Sequence, residues 1–134
     1  MPQRFVGLSY EKSKLSQPLF TGGNANLISL FECLGNGVLR IGRNSVDESN
    51  WSPDGAGLTS GQTAPSDINS LAAFLRATGW PVLNGVNLSQ FTPAVTAAEV
   101  AYAAKALGSN QLGIEIGNEP DVVSRRPSRR LGHL

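Results

Sequence analysis

Strand and helix signals alternate along this 134-residue chain with no hairpin signal between them, a pattern that predicts a parallel α/β sheet built from right-handed crossovers. Short apolar runs recur at strand length, and the segments between them carry apolar residues at helical spacing, each closed by a glycine. An open α/β sandwich and part of a (β/α)8 barrel both fit. A complete barrel takes roughly 250 residues, so a barrel reading implies half of one.

The first strand is expected over Phe5–Tyr10. After a turn at Thr21-Gly22-Gly23-Asn24, Leu27, Ile28, Leu30, Phe31 and Leu34 fall on one helix face, with Gly35 as its stop. Cys33, the single cysteine, lies inside this run and reads as a small buried hydrophobe. Val38–Ile41 is the second strand. Gly42–Ala64, rich in Gly, Ser, Asn and Asp, is a loop long enough to suggest function. A second helix starts near Thr63 or Ser66, buries Ile68, Leu71, Ala72 and Leu75, and ends at Gly79. The third strand lies within Trp80–Leu88. Thr96-Ala97-Ala98-Glu99 matches a capping box opening a third helix, whose stripe is Val100, Ala101, Ala104 and Leu107 before Gly108. Leu112–Ile116 is the fourth strand.

Composition narrows the chemistry. A hydrophobic content of 40% suits one domain with a core. No apolar run approaches the roughly 18 residues of a spanning helix, so no membrane partner is expected. No signal-type segment follows Met1-Pro2-Gln3-Arg4, and the chain as written is expected to stay in the cytoplasm by default. The only histidine, His133, lies at the end, which disfavours a His-dependent triad or a His-rich metal site; neither metal nor cofactor is expected, and carboxylates are the candidate agents. Residues 1–121 hold seven Lys or Arg against all ten Asp and Glu, a net −3, whereas residues 122–134 hold four Arg and no acid, a net +4. The basic tail, in which Pro127 and like charges oppose a helix, is expected to be disordered; four arginines alone do not make a nucleic-acid site.

Alternation on the strands places polar residues. With Leu39 and Ile41 on the apolar side of the second strand, Arg40 points inward. With Ile114, Ile116 and Asn118 on one side of the fourth, Glu115, Gly117 and Glu119 lie on the other. Buried charge requires a partner, so Arg40 pairs with Glu115 or with a carboxylate outside this chain. Glu119 lies past the strand, at the carboxyl edge where ligands bind in parallel α/β folds, and Pro120 after it favours an extended backbone.

The sequence Gly117-Asn118-Glu119-Pro120 at the end of a fourth strand resembles the acid/base motif of clan A retaining glycoside hydrolases. Phe5-Val6-Gly7-Leu8-Ser9-Tyr10-Glu11, Val38-Leu39-Arg40-Ile41-Gly42 and the stretch from Asn44-Ser45-Val46-Asp47 to Trp51 extend the likeness over roughly Phe5–Asp121, where it is similar to glycoside hydrolase family 79, which contains β-glucuronidases and heparanases. The resemblance implies the N-terminal half of a (β/α)8 TIM barrel in residues 1–121, with about four parallel strands and three helices, and a glucuronide-type carbohydrate substrate. It implies Glu119 as general acid/base, Asn118 as a ligand of the sugar 2-hydroxyl, Arg40 as an orienting arginine, and Glu11, Asn44, Ser45 and Asp47 as loop residues within reach of the sugar. Members of the family are typically secreted. The nucleophile comes from a later strand, so the chain is expected to be inactive alone; a non-enzymatic half-barrel that self-associates through uncovered edges or binds carbohydrate is the alternative.

Overall fold

The computed structural model describes residues 6–89, 92–119 and 121. In chain order the elements are β1 (Val6–Glu11), α1 (Ala25–Leu34), β2 (Gly37–Gly42), β3 (Asn50–Trp51), β4 (Gln62–Thr63), α2 (Pro65–Thr78), β5 (Val82–Val86), α3 (Pro93–Leu107) and β6 (Gln111–Ile116). The main sheet has the order β1-β2-β5-β6, with every pair parallel. Each strand therefore lies beside the one before it, which is the progression of a barrel wall and not the reversing order of a doubly wound sheet. The chain forms half of such a barrel. The long loop after β2 is not irregular throughout: it contains a 3-10 turn at Asn44–Glu48 and the short parallel pair β3-β4.

Leu39, Ile41, Val82 and Val86 are fully buried on the sheet, and Ile68, Leu71, Phe74 and Leu75 of α2 are fully buried with them. Edge-to-face and tilted aromatic contacts run through this layer from Tyr10 to Phe20, Phe74, Phe31 and Trp80, with centroid separations of 5.0, 5.3, 5.0 and 4.5 Å. Such pairs add about 0.5–1.5 kcal/mol each beyond area burial. Trp80 also donates from Nε1 to the Gly35 carbonyl oxygen at 2.8 Å, joining the start of β5 to the end of α1.

Gly35, Gly79 and Gly108 end the three helices as the sequence predicts. The apolar faces differ more. On α1 Phe31 is buried, but Leu30 and Leu34 are exposed, and so is Cys33. The helix packs mainly on α2 among the described helices, and its far flank meets solvent. Residue 64 is the N-cap of α2, and Asp67 supplies the cap from inside the helix, its carboxylate accepting from the backbone N–H groups of Ala64 and Leu58, both at 2.9 Å. The third helix starts at Pro93, a turn before the expected capping box, because proline suits the first helical position. Thr96 is thus inside the helix and Glu99 is no cap: it is buried against the sheet.

Its partner is Lys12, 1% exposed in the 3-10 turn Lys12–Ser16 that follows β1. The ammonium donates to Glu99 Oε1 at 2.7 Å, the Gly85 carbonyl oxygen at 2.7 Å and Asn84 Oδ1 at 3.1 Å. Three oxygens match its three donors, so a charge that would be costly in an apolar layer is fully satisfied. Removing one partner leaves the other uncompensated. Glu99→Ala is expected to lower the unfolding free energy by about 3 kcal/mol in urea titrations, whereas Glu32→Ala on the exposed face of α1 stays within about 0.5 kcal/mol of the parent.

Candidate functional site

The polar cluster lies at the carboxyl ends of the main strands. Arg40 projects from β2 and reaches Glu115 on β6, with Nε donating to Oε2 at 2.8 Å and Nη2 to Oε1. The sequence expectation of this pair is met. Between the two strands, β5 presents Gly85 in register with Glu115; a Cβ there would lie 2.8 Å from the Ile41 carbonyl oxygen, so no larger residue fits. Arg40 also donates to Ser9 Oγ on β1 at 3.3 Å. One guanidinium therefore spans the inner face from the first strand to the fourth. Hydrogen bonding from Arg40 outweighs partial burial and holds the Glu115 carboxyl below its ordinary range, while the same bonding raises Arg40.

Beyond β6 the alternation breaks. Gly117 takes φ +70°, and a Cβ there would fall 2.6 Å from that of Leu88. The turn brings Asn118 to the side of Arg40, not to the side of the isoleucines where strict period-two alternation puts it. Asn118 Oδ1 accepts from Arg40 Nη2 at 3.2 Å, and its Nδ2 donates to Asn44 Oδ1 at 3.1 Å. Glu119 follows with φ +50°, a left-handed conformation and not the extended one expected before proline, and its side chain is exposed. Pro120 and the basic tail lie outside the described residues.

Asp47, 3% exposed, is the brace beneath this cluster. Its Oδ1 accepts from the backbone N–H groups of Leu88 and Ser89 at 2.9 and 3.2 Å, and its Oδ2 from that of Asn118 at 3.3 Å. A loop carboxylate expected at the sugar is instead turned inward, tying the segments after β5 and β6 together. Glu11, at the end of β1, accepts from the Ser45 backbone N–H at 2.9 Å. Burial pushes the Glu11 carboxyl up, but the Ser45 bonds and the charges of Arg43 and Arg40 outweigh it and lower it overall. Ser45 Oγ accepts from the Ser13 backbone N–H at 3.0 Å, so its side chain joins two loops.

Arg40, Asn44, Asp47 and Asn118 thus form one hydrogen-bonded network, and Glu11 and Ser45 adjoin it through the chain neighbours Asn44 and Ser45, with Glu119 next to Asn118 in sequence. Arg43 was not singled out from sequence, yet its Nε lies 3.3 Å from Glu11 Oε1 at the rim. Its position directly after the β2 glycine, at a strand's carboxyl end, is the signal that could have found it. Among the described residues, no group of three or more His, Cys, Asp or Glu is placed to hold a metal ion, and no helix is long and apolar enough to cross a membrane. A groove lined by Asn69, Tyr102, Lys105 and Ala106 lies on the helical side, between α2 and α3, apart from the strand ends.

The fold is that of half a (β/α)8 barrel with a polar cluster at the carboxyl ends of its strands. It is similar to the crystal structure of a 4-O-α-L-rhamnosyl-β-D-glucuronidase from Fusarium oxysporum 12S in complex with Rha-GlcA, with a TM-score of 0.69 and 19% sequence identity. The match covers 90% of this chain and 29% of that chain, so this chain spans under a third of the neighbour's length. No protein-family model matches the sequence, and no curated protein matches it.

Two outcomes follow from the network. Because the Glu115 carboxyl is lowered on folding, its contribution is present above the unfolded-state value of about 4.3 and is lost as pH falls through the lower folded-state value. The stability gap between the parent and Glu115→Gln should be about 1 kcal/mol at pH 7, a figure already reduced for solvent screening of a partly exposed pair, and should close below about pH 4. Asp47→Ala strands three amides; a loss of roughly 2–4 kcal/mol is expected, with hydrogen exchange at Leu88, Ser89 and Asn118 faster by about tenfold or more.

Proposed function

We propose that the chain carries the acid/base half of a retaining glycoside hydrolase site of the family 79, β-glucuronidase-like type. Glu119 is the general acid/base and Asn118 the ligand of the sugar 2-hydroxyl. The observation that carries this reading is the double anchoring of the Asn118 amide. Arg40 fixes its oxygen and Asn44 takes one of its two N–H groups, which leaves the second to donate to a hydroxyl. The neighbour's reported activity on a glucuronide supports the substrate class.

Retention requires a protonated carboxyl at the leaving oxygen and a second carboxylate about 5–5.5 Å from it to attack the anomeric carbon. The other carboxylates of the cluster are engaged: Glu115 by Arg40, Asp47 by three backbone N–H groups, and Glu11 by Ser45 and Arg43. On this reading the nucleophile is none of these three. The chain by itself accordingly binds a glycoside without cleaving it, with Glu11, Asn44 and Ser45 shaping the rim and Asp47 holding the platform.

A second reading, a non-enzymatic half-barrel that self-associates, is favoured by the exposed Leu112 and Ile116 on β6, an edge strand paired on one side only. Titration of the chain with methyl β-D-glucuronide, followed by NMR of the Asn118 side-chain amide, tests the first reading. Millimolar-range binding abolished by Asn118→Ala is expected, with no release of p-nitrophenol from the aryl glucuronide. Turnover that disappears in Glu119→Gln would show that a nucleophile is present after all. A dimer by size exclusion that ignores the sugar would favour the second reading.

A further inference from the structure

Arg43 has a backbone that arginine should not have. Its φ of +60° and ψ of −158° fall in the region that is essentially reserved for glycine. The side chain is 53% exposed and fills no part of the core, so packing does not offset the strain. Its contact with Glu11, a single 3.3 Å approach through Nε, is a half-exposed ion pair of the kind that contributes less than such strain costs. Glycine would satisfy the local fold better, and what arginine adds is a guanidinium at the rim of the site.

We propose that Arg43 is a specificity-determining residue that selects carbohydrates bearing a carboxylate, a uronate ring in particular. This rests on the preceding reading of the site. With Nε held toward Glu11, the two Nη groups have no hydrogen-bond partner among the described residues and form the open side of the guanidinium fork, the geometry that takes a carboxylate through two parallel bonds. The next residue, Asn44, bonds Asn118, which puts Arg43 on the same rim as the proposed 2-hydroxyl ligand. Arg40 cannot play this part because Glu115 and Asn118 already occupy it. The cluster as a whole is not cationic, so selection comes from the directional fork of one residue and not from a general positive field.

The experiment uses the full chain, Arg43→Ala and Arg43→Gly. Thermal melting and NMR titrations with methyl β-D-glucuronide and its neutral counterpart, methyl β-D-glucoside, are read at the Asn44 and Asn118 amides. Alanine keeps the strain and loses the guanidinium, whereas glycine loses both. Arg43→Gly should melt about 3 °C or more above Arg43→Ala, the reverse of the usual glycine penalty. The parent should bind the glucuronide at least about fivefold more tightly than the glucoside, and both variants should lose that preference. Equal binding of the two sugars by the parent, or a preference that survives in Arg43→Ala, overturns the role of Arg43 and leaves the site reading standing. A melting order with alanine above glycine removes the strain argument and overturns the inference with it. If neither sugar moves the Asn118 signals, the site reading and this inference fall together.

Discussion

The arrangement of the strand-end loops depends on an ammonium group that has no access to water. Lys12 lies in the turn after β1, and its three oxygen partners are on β5 and α3. Fixing that turn places the Ser13 N–H against Ser45, and Ser45 lies in the short helical turn Asn44–Glu48 that contains Asp47. Asp47 in turn holds the ends of β5 and β6. The position of Asn118 is thus set through a chain of polar contacts that starts in the layer between sheet and helices, remote in sequence from the strand that carries it. A charge pair in that layer contributes little net stability, but its loss is costly, so it acts as a determinant of register and placement.

Much of the architecture was legible because period and punctuation agreed. Strands with short apolar runs and helices ending at Gly35, Gly79 and Gly108 needed no tertiary information, and the Arg40–Glu115 pair followed from alternation plus the cost of unpaired charge. The failures have physical causes. Helical periodicity marks an apolar stripe but not what covers it, and Leu30, Leu34 and Cys33 lie on a flank of α1 that stays exposed. For Lys12 no local pattern signals burial, because its partners lie more than 70 residues away. Glu99 had a local role available as a cap, and the earlier start at Pro93 removed it. Alternation also ends where the strand ends: Gly117 rotates the chain, and Asn118 and Glu119 take positions that no strand period describes.

The cluster shows how a wall of a barrel presents a polar site with its more buried charges matched. Arg40 links β1, β2 and β6, Glu11 holds the first residues after β2, and Asp47 consumes its charge on backbone N–H groups. The more buried groups are held by several partners each, whereas Glu119 and Arg43 are the exposed charges of the rim. This division explains why the residue types named by family resemblance gather in one place even though their individual contacts differ from those expected, most of all for Asp47. A fold likeness at 19% identity carries the frame alone.

The order β1-β2-β5-β6 has a consequence for how the molecule comes into being. Every main strand docks on the one synthesised just before it, and none must wait for a later segment to be inserted between two earlier ones. Each emerging strand and helix can therefore add to a surface that already exists, as courses are added to a wall. The leading edge of that growth is always the newest strand, and among the described residues it is β6, on which Leu112 and Ile116 are exposed.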